Sequence, residues 1–520
     1  MIVIVALGVV GLAMAFAAQM ARWLRVLQRE HYDPRSMIRF LGRWSSPPVG
    51  PASAPVRIRD RRPVTLSHVL VVVFVVALAL HSDAWVVATT ILYGLFAPTG
   101  LGLRGRTGAL RFTRRATLIA LCASAVALAI SLAGTFSARP WLLGAAVVWA
   151  VPMLLDVTTR LLAPYERRQA RRFVELATRR LASVHPRVVA ITGSYGKTST
   201  KNHLADLLAG AGVVASPASF NNQAGLSRAI NENLVDGTRV FVAEMGTYGP
   251  GEIADLCAWC PPEIAIVTAI GPVHLERMGS LDVIERAKFE ITERARTVIL
   301  NVDDARLAGW VARLVARGTR VVRASAGATG DADVTVRAGD VWRLEVGGED
   351  VGVFSAPPGL QASNVACAVA AALELGLSRE EVLSRVRMLA PVAHRAHVAR
   401  AESGVVVIDD TFNANPASAE ASLALLLAQD LTGRRVVVTP GLIELGVLEH
   451  GSNISLAQKV IARGAELLIV GRTNASALQI GAQGAARRVD TREDAVAWVR
   501  ESLVTGDGVL YLNDLPDHYP

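Results

Sequence analysis

The chain is poor in cysteine and in lysine. Four cysteines among 520 residues are too few for a disulfide framework. Cys257 and Cys260 form one CxxC pair, but no second pair stands at zinc-ribbon spacing, so we interpret them as two cysteines at a helix end. Lysine supplies only four of the 54 basic residues, at positions 197, 201, 288 and 459. A chain this biased towards arginine is expected to keep lysine where a compact ammonium is needed, as it is beside phosphates.

Charged residues are scarce within long stretches of the first 160 residues. The hydrophobic fraction of the whole chain is 52%, and most of the long apolar runs fall in this region. We predict five membrane-spanning segments: Ile2–Met20, Thr65–Leu80, Ala84–Ala97, Ala116–Ala133 and Trp141–Leu155. The first segment is also compatible with a signal peptide cleaved near Ala15-Phe-Ala17. It lacks a basic start, however, and Arg22 and Arg25 follow it, which favours a retained span.

The basic residues concentrate between these segments. The loop Arg22–Arg62 carries ten arginines and three acids, and the loop Thr99–Arg115 carries five arginines and no acid. The positive-inside rule then predicts an external N-terminus, five spans and a cytoplasmic C-terminal portion. This topology accounts for the formal charge of +9 without a nucleic-acid partner. The basic segment Tyr165–Arg180 is compatible with a helix on anionic lipid and equally with a solvated helix.

A glycine-containing loop follows the short β-branched run Val188–Ile191. It reads Thr192-Gly193-Ser194-Tyr195-Gly196-Lys197-Thr198, and the segment Thr198–Leu208 has helical character. A strand, a glycine loop and a helix place backbone N–H groups and a helix N-terminus around phosphates. The loop is a shortened form of the full P-loop pattern, because Ile191 stands where the first glycine would fall. The pattern therefore predicts nucleotide binding.

Further chemically active residues follow later predicted strands. The run Arg239–Glu244 predicts a strand that ends in a carboxylate, the kind of group that holds Mg²⁺ beside a P-loop. A second predicted strand, Ile264–Ile270, is followed by His274, and Lys288 stands fourteen residues further on. Strands that alternate with helices predict a mostly parallel sheet covered by helices on both faces.

Together these motifs resemble the Mur ligases, the ATP-dependent amide-forming enzymes of peptidoglycan precursor synthesis, and within that family the branch that adds D-alanyl-D-alanine. The resemblance covers about residues 185–500 and rests on TGSYGKTS (192–199), FNNQAGL (220–226), AEMG (243–246), PGEIADL (250–256), IGPVHLERMGSL (270–281), AKFEI (287–291), NVDD (301–304), SNVACAVAAAL (363–373), DDTFNANP (409–416) and IELG (443–446). Several independent motifs in one order are far more specific than a lone phosphate loop.

The resemblance implies three regions. They are a multi-span α-helical membrane region over 1–162, an α/β P-loop ATP-binding central domain with a mostly parallel sheet over 163–393, and a C-terminal Rossmann-like domain over 394–520. In the implied reaction a carboxylate takes the γ-phosphoryl group of ATP to form an acyl phosphate, and an amine then displaces phosphate. The site therefore has to stabilise accumulated negative charge.

The resemblance also implies roles for individual residues. Lys197, His274, Lys288 and Arg395 are the expected catalytic residues. Expected to contact ATP are Thr192, Gly193, Ser194, Tyr195, Gly196, Lys197, Thr198, Ser199, Asn364, Arg395 and Asp410. Expected to contact the substrates are Asn221, Asn222, Asn413, Asn415 and Glu444. Thr198, Glu244, His274 and Lys288, the last as a carbamate, are the expected ligands of two Mg²⁺ ions.

Three departures from the family leave the substrate open. The UDP-binding N-terminal domain is replaced by the apolar region, Pro440-Gly441 stands where the family has Gly-Asp, and the chain ends in LYLNDLPDHYP where a Lys-Gly-Ser run is usual. The expected partners are a cell-wall precursor peptide, an amino compound such as D-Ala-D-Ala and membrane lipid. Alternatives are a ligase or amidase-type reaction on a lipid-linked or other acceptor, polyglutamate-type extension, and a catalytically silent membrane scaffold.

Overall fold

We describe a computed structural model of the chain. It covers residues 2–33, 36–45, 58–98, 100–102, 109–217, 220–327, 331–357, 359–390, 397–411, 414–515 and 519. The chain divides into two compact units. The first unit comprises Met1–Arg167, Leu468–Val496 and Asp514–Pro520, and the second comprises Arg168–Leu467 and Ala497–Asn513.

Helices make up the N-terminal part of the first unit. They are α1 (Ile2–Arg29), α2 (Ser36–Ser45), α3 (Ile58–Ala79), α4 (Asp83–Phe96), α5 (Arg114–Gly134), α6 (Pro140–Trp149) and α7 (Val151–Val184). The part of α7 after Arg167 belongs to the second unit. Each of the five predicted apolar segments falls on these helices. Within the described residues, two helical stretches are long and apolar enough to cross a membrane, Val5–Arg29 and Arg114–Gly134, and a third qualifies if α6 and α7, bent by 71°, form one span. Helix α7 continues through the predicted domain boundary at residue 162.

Helices α1 and α4 approach each other closely. A Cβ atom on Gly94 would collide with the backbone of Ala15, so the small residue permits the contact. The buried Gln19 amide donates to the carbonyls of Tyr93 at 3.2 Å and Ala97 at 2.6 Å, and Arg22 donates to Gly94 O at 2.7 Å. These side chains therefore supply donors to carbonyls at and just after the C-terminal end of α4. The carbonyl of Tyr93 also accepts from Ala97 N at 2.9 Å.

The second unit is built around a nine-stranded sheet. Its strands are β1 (Arg187–Thr192), β2 (Val213–Ala215), β3 (Val240–Glu244), β4 (Ile264–Val267), β5 (Thr297–Asn301), β6 (Arg320–Ser325), β7 (Val334–Arg337), β8 (Trp342–Val346) and β9 (Glu349–Phe354). The strand order is β2-β3-β1-β4-β5-β6-β7-β8-β9. Pairing is parallel from β2 through β7, as predicted, and antiparallel for β7–β8 and β8–β9.

Helices cover both faces of this sheet. They are α8 (Lys197–Leu207), α9 (Gln223–Asn233), α10 (Glu252–Trp259), α11 (Leu275–Met278), α12 (Leu281–Phe289), α13 (Ala305–Ala308), α14 (Val311–Ala316), α15 (Ala362–Glu374) and α16 (Arg379–Val386). Alternate residues of each central strand point to opposite faces. Val189 and Ile191 of β1 join the core under α8, α15 and α16, whereas Val188 and Ala190 join the core under α7, α9, α10 and α12.

Further strands follow in the chain. They are β10 (His397–Arg400), β11 (Val406–Asp410), β12 (Arg435–Thr439), β13 (Glu466–Val470), β14 (Arg487–Val489) and β15 (Gly508–Leu512), with helices α17 (Pro416–Leu427), α18 (Glu449–Ala462), α19 (Ala475–Gly481) and α20 (Arg492–Ser502). In the second unit β10, β11, β15 and β12 are neighbours in that order, and β15 pairs in parallel with β11 and β12. In the first unit β13 and β14 pair in parallel. We refer to the part of the second unit from β10 onwards as the C-terminal lobe.

Phe241 provides a test of the sheet core. It lies fully buried on β3, so Phe241→Ala should lower the free energy of unfolding by about 3–5 kcal/mol. The matched control is Val353→Ala on β9, where the side chain is 44% exposed and the expected change is within about 0.5 kcal/mol. Denaturant unfolding of the detergent-purified chain, followed by intrinsic fluorescence, measures both. Equal losses in the two variants would contradict this assignment of the core.

Candidate active site

The glycine loop leaves the carboxyl end of β1, which lies between β3 and β4. Gly193 and Gly196 have φ angles of 148° and 81°, which side-chain-bearing residues rarely adopt. A Cβ atom at Gly193 would collide with the Thr268 hydroxyl, and one at Gly196 with the Asn364 amide. The loop thus requires glycine at both positions. Asn364, one of the expected ATP contacts, lies on α15 against the loop itself.

Side chains of the loop fix its conformation. The Ser194 hydroxyl donates to Gly271 O at 2.9 Å and accepts from Gly271 N at 2.8 Å. Tyr195 lies against Gly271, and burial together with the charge of Asp304 raises the pKa of its phenol. Helix α8 begins at Lys197, whose Nζ donates to Gly193 O at 2.8 Å. An ammonium and a helix N-terminus therefore meet at the loop, as a phosphate site requires.

Glu244 ends β3, the neighbour of β1, and its buried carboxylate accepts from three side chains. Thr198 Oγ1 donates to Oε2 at 3.0 Å, and Asn221 Nδ2 donates to Oε1 at 3.1 Å. Lys201 Nζ lies 3.2 Å from Oε2, and both side chains of this ion pair are only 2% exposed. The sequence interpretation gave Lys201 no role. The rarity of lysine, and its position four residues after Lys197 on one helix face, were signals that would have identified it.

Lys288 lies buried near the C-terminal end of α12. Burial, and secondarily the charge of Lys197, lower the pKa of the Lys288 amine well below its usual range. A depressed pKa favours the neutral amine, the form that reacts as a nucleophile. The two lysines that the resemblance singled out therefore act on each other electrostatically.

His274 contacts the C-terminal lobe. Its Nδ1 shares a short hydrogen bond with Glu444 Oε2, and Leu275 N donates to Glu444 O at 2.9 Å. The ring of Tyr248 meets the imidazole edge to face, with centroids 4.6 Å apart. The sequence placed a metal ligand at His274 and a substrate contact at Glu444, and the structure joins these two residues.

Several other expected site residues have identifiable structural contacts. The Asn222 and Asn415 side chains cap α9 and α17, accepting from Gly225 N at 2.9 Å and Ser418 N at 2.9 Å. Asp410 accepts from the Ser422 hydroxyl at 2.7 Å. Thr192 is buried at the end of β1, and Ser199 lies in the first turn of α8. Arg395 and Asn413 lie outside the described residues.

The donor set suits Mg²⁺ bound together with nucleotide phosphates. Among the described residues, no three or more His, Cys, Asp or Glu side chains form a group able to hold a metal by themselves. Mg²⁺ beside a P-loop needs no such cage, because one hydroxyl and one carboxylate, with phosphate oxygens and water, complete its coordination. Thr198 and Glu244, already in contact, are such a pair. The residues therefore fit the ion that the sequence predicted.

Comparisons with known proteins agree with this geometry. Residues 191–372 match the family model described as the Mur ligase middle domain. The chain is 37% identical over 262 residues to the UDP-N-acetylmuramoyl-tripeptide–D-alanyl-D-alanine ligase of Mycobacterium leprae, covering 46% of this chain and 50% of that one. It is 35% identical over 373 residues to the protein of the same name from Mycobacterium bovis, covering 62% of this chain and 69% of that one.

Solved structures show the same fold. The crystal structure of MurF from Acinetobacter baumannii aligns with a TM-score of 0.57 at 24% identity and covers 66% of this chain and 76% of that one. MurF ligase from Thermotoga maritima in complex with ADP aligns with a TM-score of 0.57 at 24% identity, and the alignment covers 66% of this chain and 80% of that one. Because the match to the Mycobacterium bovis ligase extends over 69% of that protein at 35% identity, this chain belongs to the Mur ligase family, whose members are ATP-dependent, ADP-forming acid–amino acid ligases.

Proposed function

We propose that this protein is a membrane-anchored ATP-dependent ligase that joins a carboxylate of a cell-wall precursor peptide to an amine, with D-Ala-D-Ala as the preferred amino substrate. The observation that carries the proposal is the contact of Thr198 with the buried Glu244 at the carboxyl edge of the sheet, beside Lys197 and the glycine loop. The names of the Mycobacterium relatives support the amino substrate.

Two displacements make up the reaction. An oxygen of the acceptor carboxylate attacks the γ-phosphorus of ATP, the bond to the β-phosphate oxygen breaks, and ADP leaves. The amine then attacks the acyl carbon of the acyl phosphate, inorganic phosphate leaves and the nitrogen loses a proton. Lys197 and the loop N–H groups would hold the β- and γ-phosphates while the phosphoryl group is transferred. Thr198 and Glu244 would hold one Mg²⁺ and His274 a second, which supply neutralising charge at the γ-phosphate.

Lys288 has the chemistry required for carbamylation. A neutral amine attacks CO₂, a proton leaves, and the product is an anion that supports a metal ion. The low pKa of Lys288 favours the neutral amine that this reaction needs. The C-terminal lobe would present the amine substrate. We propose that Asn221 and Asn413 contact the substrates and that Arg395 contacts ATP.

The membrane part of the proposal rests on the surface of the first unit. Large apolar side chains are exposed along its helices, among them Leu7 at 66%, Val72 at 60%, Leu121 at 63% and Leu128 at 60%. Exposed apolar area on this scale is typical of surfaces that meet lipid. We propose five spans, with the ligase domains, which we place at 163–393 and 394–520, in the cytoplasm.

The main proposal and its alternative differ in the acceptor substrate. The relatives named above act, by their names, on a UDP-linked tripeptide, whereas the described residues before 162 of this chain fold mainly as helices with long apolar stretches. A lipid-linked acceptor is therefore the alternative that these helices favour. A silent scaffold is disfavoured because Lys197 contacts the glycine loop and Thr198 contacts Glu244, an arrangement that suits phosphate and Mg²⁺.

Release of ADP tests the function directly. Detergent-purified protein with Mg-ATP and D-Ala-D-Ala should release ADP when given either UDP-linked or lipid-linked muramoyl tripeptide, and Lys197→Ala should lower the rate at least about 100-fold, since it loses a charge aimed at the developing phosphate anion. Lys459→Ala, at an exposed ion pair with Glu420, is the control and should keep the wild-type rate. Wild-type protein that binds no nucleotide and releases no ADP with either acceptor would refute the proposal.

Lys288→Arg tests the carbamate. Arginine stays protonated and cannot be carbamylated, so this variant should lose at least about 100-fold in turnover while its ATP affinity stays within a few-fold of wild type. ADP release and equilibrium nucleotide binding measure the two effects. Lys459→Arg repeats the substitution away from the site and should be silent. Substantial turnover in Lys288→Arg would remove the carbamate from the mechanism.

Lys201→Met tests the support of Glu244. Removing one partner of a buried ion pair leaves the other charge uncompensated, so the free energy of unfolding should fall by about 3–5 kcal/mol. The exposed control Lys459→Met should cost at most about 1 kcal/mol. Adding Glu244→Gln to Lys201→Met should restore part of the loss in denaturant unfolding. A single variant as stable as wild type would mean that the pair does not hold Glu244.

A further inference from the structure

Two residues in left-handed backbone conformations meet where the central sheet faces the C-terminal lobe. His274 follows β4 and has a φ angle of 51°, and Glu444 follows β12 and has a φ angle of 63°. Such conformations are unfavourable for residues other than glycine and persist only where the surroundings enforce them. Both strained residues belong to one contact.

Backbone contacts fix the relative positions of His274 and Glu444. Leu275 N donates to Glu444 O at 2.9 Å, which satisfies the first N–H group of α11 from the other lobe. Gly446, at φ 56°, lies so close to this helix that an added Cβ atom would stand 3.3 Å from Glu276 N. The loop from Glu444 to Gly446 is therefore fitted to the turn after His274.

The orientation of the imidazole is fixed on two sides. Nδ1 bonds to Glu444 Oε2, and the ring of Tyr248 packs against the imidazole edge to face, while Arg277 stacks over Tyr248 at 4.7 Å. Nδ1 is occupied, so Nε2 is the ring nitrogen left to bind a metal ion. Histidine ligands usually donate their other ring N–H to a carboxylate, which sets the tautomer and raises the basicity of the ligating nitrogen.

Stability alone is a poor explanation of this pair. The side chains of His274 and Glu444 are 21% and 25% exposed, and a hydrogen-bonded contact with this much access to solvent contributes little to stability. Two strained backbone conformations offset most of that gain. The arrangement is better explained by the position it gives the imidazole.

We propose that Glu444 is a positioning residue: it holds the His274 ring, through Nδ1, with Nε2 presented to the second Mg²⁺, so that a carboxylate of the C-terminal lobe completes a metal site of the central domain. This inference rests on the proposed function and revises the expected role of Glu444 as a substrate contact. It couples the metal site to lobe closure, because the metal ligand acquires its orientation only when the C-terminal lobe is in place.

Binding of Mn²⁺ tests the inference without turnover. Full-length protein in detergent is titrated with Mn²⁺ in the presence of a non-hydrolysable ATP analogue, and bound Mn²⁺ is counted by electron paramagnetic resonance. Wild type should bind two ions, and His274→Ala should retain one. Glu444→Ala should lower the affinity for the ion that depends on His274 by 10–100-fold, the range found when a metal ligand loses its outer hydrogen-bond partner. Glu444→Gln keeps an acceptor for the Nδ1 proton and should weaken it less than about tenfold.

The control is Glu420→Gln, the same chemical change at an exposed ion pair of the same lobe. In this variant the affinity for each of the two Mn²⁺ ions should stay within twofold of wild type. Affinity for the ATP analogue should stay within about threefold in all variants, and in the Glu444 variants the apparent KM for Mg²⁺ should rise while kcat recovers at saturating Mg²⁺. A second ion bound by Glu444→Ala as tightly as by wild type, in protein that still releases ADP, would overturn the inference alone. Wild-type protein without nucleotide binding would overturn the proposed function as well.

Discussion

The candidate site depends on one buried carboxylate. Glu244 sits at the end of a central strand, out of reach of water, where an unpaired charge would be prohibitively unfavourable. Thr198, Lys201 and Asn221 satisfy it, and they come from the first helix after the loop and from the segment before α9. Because a single carboxylate joins these elements, the loop, the sheet and the segment around 221 cannot shift independently. The contacts of Glu244 therefore hold the elements of the candidate site together without a ligand.

The three lysines of this region differ in their electrostatic environments. Lys197 and Lys201 start one helix, but one ammonium is directed at the loop and the other is neutralised by Glu244. Lys288 has no such anion in a described ion pair, and its pKa falls as a result of burial and the Lys197 charge. Three amines in one region therefore have three different electrostatic environments. Arginine, which does not lose its proton at accessible pH, offers no such range.

Much of this arrangement was predictable from sequence, and the limits have physical causes. The alternation of buried strands and helices predicted the parallel sheet, because this feature follows from local pattern. The carboxylate at the end of β3 predicted an Mg²⁺ ligand there, and that role stays a prediction. The antiparallel β7–β8–β9 extension was missed, since short strands of mixed character carry little periodic signal. The pairing of Glu444 with His274 spans 170 residues, and no local rule reaches that far.

The distribution of the four lysines also determines how the folded protein meets amine-directed reagents. Lys201 and Lys288 are buried, Lys459 is half exposed at the surface of α18, and Lys197 borders the loop where phosphates would bind. Acylation of the native chain would therefore concentrate on two side chains, and nucleotide would shield only one of them. Because lysine is scarce, the loss of labelling at Lys197 would report nucleotide binding, and Lys459 would serve as the internal reference for the extent of labelling.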